Sequence, residues 1–300
     1  MSIYVETRIQ APMADLWQKS QDPQLHQRWD ARFSSITYRP RLHESQPQKF
    51  HYATRLGLGL TIAGEGETIG QRDDLDRCTS SLRFWSDDPK SLICEGAGYW
   101  QYVATDAGIR FITAYDYKTR FGWVGQAVDR LAFRPFLGWA TAWSFDRLRL
   151  WLERGIDPAL SLQRTLIHAI CRVALAFVWI YHGLVPKLIA RDPDELRLLG
   201  ETGISEMSLP AALTVIGIAE MCLGVCVLVF FRSRWPLAIT AVLMLLATIA
   251  IAFNSPRYLS AAFNPVSLNF LLTLVSLIGL VTMNDLPSAL RCLRQKPRNE

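Results

Sequence analysis

After Thr165 the sequence changes character. Four stretches, 165–187, 210–231, 236–253 and 264–283, are apolar for about 18–23 residues each. An α-helix rises about 1.5 Å per residue, so each stretch is long enough to cross roughly 30 Å of hydrocarbon. The helices of a water-soluble bundle would show a polar residue every third or fourth position. AVLMLLATIAIAF, 241–253, and LLTLVSLIGLVTM, 271–283, carry no charge on any side. The sequence therefore predicts four transmembrane helices, and whatever precedes them must be a separately folded domain.

Basic residues set the expected orientation. Arg147, Arg149, Arg154 and Arg164 precede the first span, Arg232 and Arg234 fill the short loop between the second and third, and Arg291, Arg294, Lys296 and Arg298 follow the fourth. The other two connections mix their cations with more acids or hold only Arg257. The positive-inside bias then places both termini and the Arg232 loop in the cytoplasm of a bacterial-type inner membrane. The first residues, MSIYVETRIQAPMADLW, show no basic leader followed by an apolar run, so the first domain is not expected to be exported by a signal of its own. Six cysteines without zinc-ligand spacing fit a reducing compartment. The net charge of +5 is spread along the chain with no basic run interleaved with aromatics, which speaks for an anionic membrane surface and against nucleic acid as partner.

The first half alternates as strands do. IYVETRI is followed by a short helix after Ala11-Pro12. Then come the β-rich runs FSSITYRP, KFHYATRLGLGLTIAGEGETIG, RCTSSLRFW, SLICEGAGYWQYVAT and GIRFITAYDYKTRFG, and a long helical segment over about 123–154. GEGETIG, 64–70, has the wrong spacing and context for a phosphate-binding loop and reads as a glycine bend or bulge in a curved sheet. Pro135 lacks a backbone donor and should break the long helix. Trp139, Trp143 and Trp151 on that helix either pack against the sheet, line a cavity or rest on the bilayer surface. Asp73, Asp74 and Asp76 read as a solvated acidic turn. No metal-ligand set and no catalytic residue emerges, and no cofactor motif is visible.

ETRIQAPMADLWQKSQDPQLHQRWDARFSSI resembles the START-like polyketide cyclase and lipid-transfer superfamily, with its Ile-x-Ala-Pro segment before a Leu-Trp helix and an Asp-Pro. That resemblance, over about 1–155, implies an α+β helix-grip domain: a curved antiparallel sheet around a long C-terminal helix, with a cavity for lipids, sterols or polyketides.

Each span carries exceptions to apolarity. Arg172 and His182 lie in the first and Glu220 in the middle of the second, while Asn264 and Asn269 lie at and inside the start of the fourth. A charge at mid-membrane costs about 2.5–3.5 kcal/mol, so Glu220 should face the bundle interior and find a partner, with His182 and Arg172 each within side-chain reach. The cluster is either a structural clasp or the polar end of a proton or quinone site. WIYHGLVPKLIA, AEMCLG and FNPVSLNFLL resemble the DoxX-like four-helix membrane family over about 165–285. His182, Gly183, Pro186, Lys187, Glu220, Asn264, Pro265, Ser267 and Asn269 carry that likeness. The parent group includes a small subunit associated with thiosulfate:quinone oxidation, which implies contact with quinone or a redox partner.

The expected organisation is thus a START-like domain, 1–155, a linker, 156–164, an all-α bundle of four transmembrane helices, 165–287, and a basic cytoplasmic tail, 288–300. The reading favoured is a membrane-anchored binding or transfer protein for a hydrophobic small molecule such as a lipid. The alternatives are a quinone-interacting redox subunit and an anchor with a regulatory domain.

Overall fold

The computed structural model describes residues 2–43, 46–57, 59–74, 77–262 and 264–297, and the side chains of Asp73 and Asp74 are not among what it describes. Asp76 and Arg298 lie outside the described residues. The chain forms two compact units, one of 1–161 with the residues from 287 onward, the other of 162–286.

In the first unit β1 (Ile3–Ile9), β2 (Ser35–Tyr38), β3 (Lys49–Gly57), β4 (Leu60–Asp74), β5 (Arg77–Trp85), β6 (Ile93–Thr105) and β7 (Gly108–Thr119) form one antiparallel sheet, ordered β1-β7-β6-β5-β4-β3-β2. The two helices α1 (Met13–Gln21) and α2 (Pro23–Trp29) fill the excursion from β1 to β2. Asp22 separates them: its carboxylate accepts the amides of Gln24 and Leu25, and Pro23 needs no partner for the hydrogen it lacks. The GEGETIG segment is interior to β4, and the register slips between Thr68 and Gly70, the expected bulge. A Cβ on Gly66 would lie 2.4 Å from the Phe50 ring, so the glycine lets a cross-strand aromatic lie flat on the sheet.

The long helix is interrupted, as the proline predicts. α3 (Gly122–Val128) passes through a π turn, Asp129–Phe133, into α4 (Arg134–Arg154), with Pro135 in the first turn of α4. Because Pro135 offers no N–H to Leu131, the preceding turn widens and the Arg134 amide bonds back five residues to Asp129. Phe111 and Phe145 stack at 4.4 Å, and Trp29, Tyr102 and Leu148 are fully buried beside them, so α4 is gripped by the sheet across an aromatic core.

The described part of the expected tail, 288–297, joins this unit. Cys292 and Ala289 are buried in it, the Ser288 amide donates to Asp146 Oδ2 at 2.7 Å, and Glu6 and Leu293 exchange both backbone hydrogen bonds at 2.9 Å. The segment expected as a linker, 156–164, is also mostly ordered helix, since α5 begins at Pro158.

The four membrane-capable helices, Pro158–Ile189, Glu206–Val229, Trp235–Asn254 and Pro265–Thr282, lie in the second unit apart from residues 158–161. The first comprises α5 (Pro158–His182) and a second π turn, Gly183–Ile189, around Pro186. A short helix, α6 (Pro193–Gly200), precedes α7 (Leu209–Val229), α8 (Trp235–Asn254) and α9 (Pro265–Thr282). Small residues set the contacts, for a Cβ on Gly183 would stand 2.4 Å from the Gly217 carbonyl oxygen and one on Gly224 only 2.7 Å from Ile180.

Candidate functional site: a cavity and two polar clusters

Between the sheet and α4 the first unit encloses a cavity of ≈ 650 Å³, within the range of about 300–1,000 Å³ usual for small-molecule sites. Its wall is largely aromatic, with Tyr52, Phe84, Trp100 and Tyr115 from the strands and Trp139 and Trp143 from α4. Thr141, two residues from Trp139, lies against the sheet instead and holds the Tyr115 hydroxyl at 2.8 Å.

One end of the cavity is polar. Arg32 lines it and makes a paired contact with the buried Asp30, Nε to Oδ1 at 2.9 Å and Nη2 to Oδ2 at 2.6 Å. The guanidinium also lies 5.5 Å from the Tyr115 ring centre. His26, whose ring stacks on Trp29 at 5.0 Å, meets Asp30 through Nε2 at 3.0 Å. Burial works to raise the Asp30 pKa, but the charge and hydrogen bonds of Arg32, with the His26 contact, hold it well below the carboxylate range. Burial depresses the His26 pKa, with Asp30 opposing, so the imidazole is neutral near pH 7. Burial alone pushes the Tyr52 phenol up to about 12. At Arg32 one cation is thus balanced by one anion, and two further cations, Arg55 and Lys90, also line the cavity.

Of the three tryptophans singled out in the sequence, Trp139 and Trp143 line the cavity. Trp151 does not: Lys19 and Arg28 cover its ring at 4.5 and 4.7 Å.

In the second unit the polar residues fall into two groups rather than one. Arg172 is fully buried at the C-terminal end of α7. It donates to the carbonyls of Val227 (2.7 Å), Phe230 (2.9 Å) and Ser233 (2.5 Å), to His168 Nε2 (3.0 Å) and to Met283 Sδ (4.0 Å). Five acceptors match the five hydrogens of a guanidinium. His168 Nε2, 3.0 Å from Arg172 Nε, also lies 3.0 Å from the Phe231 carbonyl oxygen, and its Nδ1 lies 2.9 Å from the Gly279 carbonyl oxygen. The arrangement satisfies the orphan carbonyls of a helix end, where the helix dipole also favours a cation.

Glu220 meets neither Arg172 nor His182. Its partner is Lys187, 3.1 Å away, which also reaches Glu195 of α6 at 3.2 Å. The reason is local: the second π turn packs Gly183 on Gly217 and sets the Lys187 Cβ beside Gly217, one turn before Glu220, so a lysine side chain spans the gap. His182 contacts the Tyr181 ring, at 5.9 Å between centres. Asn264 caps α9 by accepting the Ser267 amide at 2.8 Å. Asn269 is buried on α9, where its backbone carbonyl accepts the Thr273 hydroxyl at 2.8 Å. The expected cluster of Arg172, His182, Lys187, Glu220, Asn264 and Asn269 thus contributes one close ion pair, Lys187–Glu220.

Sequence reasoning missed His168, Glu195 and the Asp30–Arg32 pair. His168 and Arg172 stand four apart on one helix face, a signal that was available; Glu195 is brought in only by the fold of α6. Among the described residues no group of three His, Cys, Asp or Glu side chains could hold a metal ion.

Comparison with known proteins adds the following. The DoxX-like family matches residues 176–277. A Bacillus subtilis (strain 168) protein named as the uncharacterized membrane protein YndG is 46% identical over 189 residues, which are 60% of this chain and 68% of the relative. Among solved structures, the di-domain ARO/CYC StfQ from the steffimycin biosynthetic pathway aligns at 12% identity with a TM-score of 0.37, covering 52% of each chain. The Helicobacter pylori hypothetical protein jhp0584 aligns at 13% identity with a TM-score of 0.39, covering 51% of this chain and 88% of its own. At those scores the helix-grip assignment rests on the sheet and the gripped helix themselves.

Proposed function

The chain belongs to the family of the Bacillus subtilis membrane protein YndG and carries a DoxX-like domain, and from that premise we propose that it is a membrane-anchored binding or transfer protein for a hydrophobic small molecule. The observation that supports this most is the ≈ 650 Å³ aromatic cavity with the Arg32–Asp30 pair on its wall. Such a site suits a ligand that is mostly apolar, lipid-, polyketide- or isoprenoid-like, with an oxygen for Arg32 or Tyr115, and Arg55 and Lys90 add further donors to the wall. Anchoring keeps a poorly soluble ligand and its site at the same surface and raises their effective concentration.

The test is native mass spectrometry of the full-length protein released from detergent, followed by extraction of whatever is bound. The reading expects one apolar molecule per chain. A bare mass that stays bare after incubation with excess oleyl alcohol would count decisively against it. The isolated segment 1–155 is unsuitable, since it lacks Ala289 and Cys292 of its own core.

A quinone-binding role for the bundle has less support, because the Glu220 carboxylate is already held by Lys187. We place the first unit in the cytoplasm, at a bacterial-type inner membrane. Four spans return the chain to the side it started from, Leu293 pairs with Glu6 of β1, and the arginine-rich connections are read as lying on that side. A fluorescent-protein fusion at the C-terminus should glow; phosphatase activity from the equivalent fusion would reverse the orientation.

A further inference from the structure

From Phe121 to Trp139 the first unit presents a surface unlike the rest of it. Trp123 and Leu131 are each 80% exposed, and Phe121, Val124, Val128 and Phe136 stand out beside them. Water-facing apolar groups in this number on one short segment mark a binding surface. The charges are sorted in the opposite sense. Asp129 turns inward, where the Tyr117 hydroxyl donates to it at 2.6 Å and Arg134 Nε at 2.8 Å. Arg134 is spent on Asp129 and Asp116. Arg130 alone among the charged residues of the segment is exposed, with no ion pair among the described residues. The surface is aromatic and aliphatic, with one cation and no acid. Phe121 opens it at φ 67°, a left-handed conformation unusual for a bulky residue.

The same segment leads into the cavity. Phe136, 60% exposed, stacks on Trp139 at 5.9 Å; Trp139, 44% exposed, stacks on Trp143 at 6.2 Å; and Trp143 is 7% exposed. All three line the cavity. The rings form a continuous apolar path from the outer face to the interior.

We propose that the Phe121–Trp139 face inserts into the interfacial layer of the bilayer that this chain spans, and that the Phe136–Trp139–Trp143 ladder is the portal by which the cavity exchanges its ligand with the lipid phase. Three observations select a lipid surface. Tryptophan, phenylalanine and leucine with a lone arginine are the composition that settles at headgroup level. Anionic headgroups complement Arg130 and meet no acid on the face. Only three residues separate the end of α4, Arg154, from Pro158, where a membrane-capable helix begins, so the chain tethers this unit to a bilayer. The docking half stands alone; the portal half rests on the carrier reading.

The experiment places full-length protein in nanodiscs of phosphatidylcholine and phosphatidylglycerol with brominated acyl chains, and compares wild type with Trp123→Phe. Bromine should quench a component of the emission that Trp123→Phe lacks; equal fractional quenching in the two would overturn the docking. A second variant, Trp123→Glu with Leu131→Glu, changes only exposed side chains and should keep the melting temperature. Its uptake of a pyrene-labelled fatty alcohol from the nanodiscs should be at least tenfold slower, with unchanged affinity for the same probe in detergent. An unchanged uptake rate would overturn the portal. A wild-type protein that binds no probe in detergent would overturn the portal through the carrier reading, leaving the quenching result to decide the docking. Equal quenching together with a dimer that the double variant abolishes would assign the face to a second copy of the chain and overturn the proposal.

Discussion

Arg32 and Arg172 are both withdrawn from water, and they are neutralised in opposite ways. Arg172 meets no carboxylate: its hydrogens go to three carbonyls at the end of α7, to His168 and to Met283. Arg32 is paired with one carboxylate and lies on the wall of a cavity. A cation whose every donor is taken by backbone and neighbouring side chains has nothing left to offer a ligand, and its role is to join helices. One that borders empty space beside aromatic rings can meet a guest. On the function proposed above, this difference gives the membrane-unit cluster a structural role and the first unit the binding role.

That assignment can be broken from either side. Arg172→Met should have the largest effect, about 4 kcal/mol or more, because several buried carbonyls lose their donors together. The thermal midpoint in detergent reports it, and ligand carried by the folded fraction should be unchanged. Truncation after Leu286 should come next. It deletes Cys292 and Ala289 from the core, the bond to Asp146 and the pairing with β1, for about 3 kcal/mol. Unfolding of the first unit at lower urea would show it; an unaltered transition would return residues 288 onward to the status of a tail.

Asp30→Asn sharpens the comparison through pH, at about 2 kcal/mol near neutrality. Asp30 has a folded pKa depressed below its ordinary value of 3.8, so its contribution is fully present above that value and is lost as pH falls through the lower, folded value. Wild-type stability should therefore decline below about pH 4 with a limb the variant lacks. A parallel acid limb in both proteins would mean that Asp30 is not the group being protonated. Glu220→Gln should have the smallest effect, about 1 kcal/mol, since Lys187 keeps Glu195.

Much of this was legible in the sequence. The strand runs, a bulge within 64–70, the interruption at Pro135 and the four spans follow from side-chain period, glycine, proline and length, which are local properties. The partner of Glu220 was not, because depth alone ranked Arg172 and His182 as reachable. The π turn at Gly183–Ile189 and the Gly183–Gly217 contact bring up Lys187 instead, and both depend on how two helices meet. The cavity was likewise hard to read, since aromatic residues lie nearly all round α4 and only the sheet decides which of them border a void. Residues 287–297 carry no hydrophobic period strong enough to announce a core segment; their place depends on pairing with a strand some 290 positions earlier.

The most direct measurement is the amount of extractable apolar molecule bound per folded chain in wild type, Ala140→Phe and Glu220→Gln, purified side by side. Ala140 lines the cavity with Trp139 and Trp143, so the added ring occupies ligand space. The account predicts that occupancy falls at least fivefold in Ala140→Phe and is unchanged in Glu220→Gln. Loss in Glu220→Gln with full occupancy in Ala140→Phe would contradict it and move the binding site into the bundle.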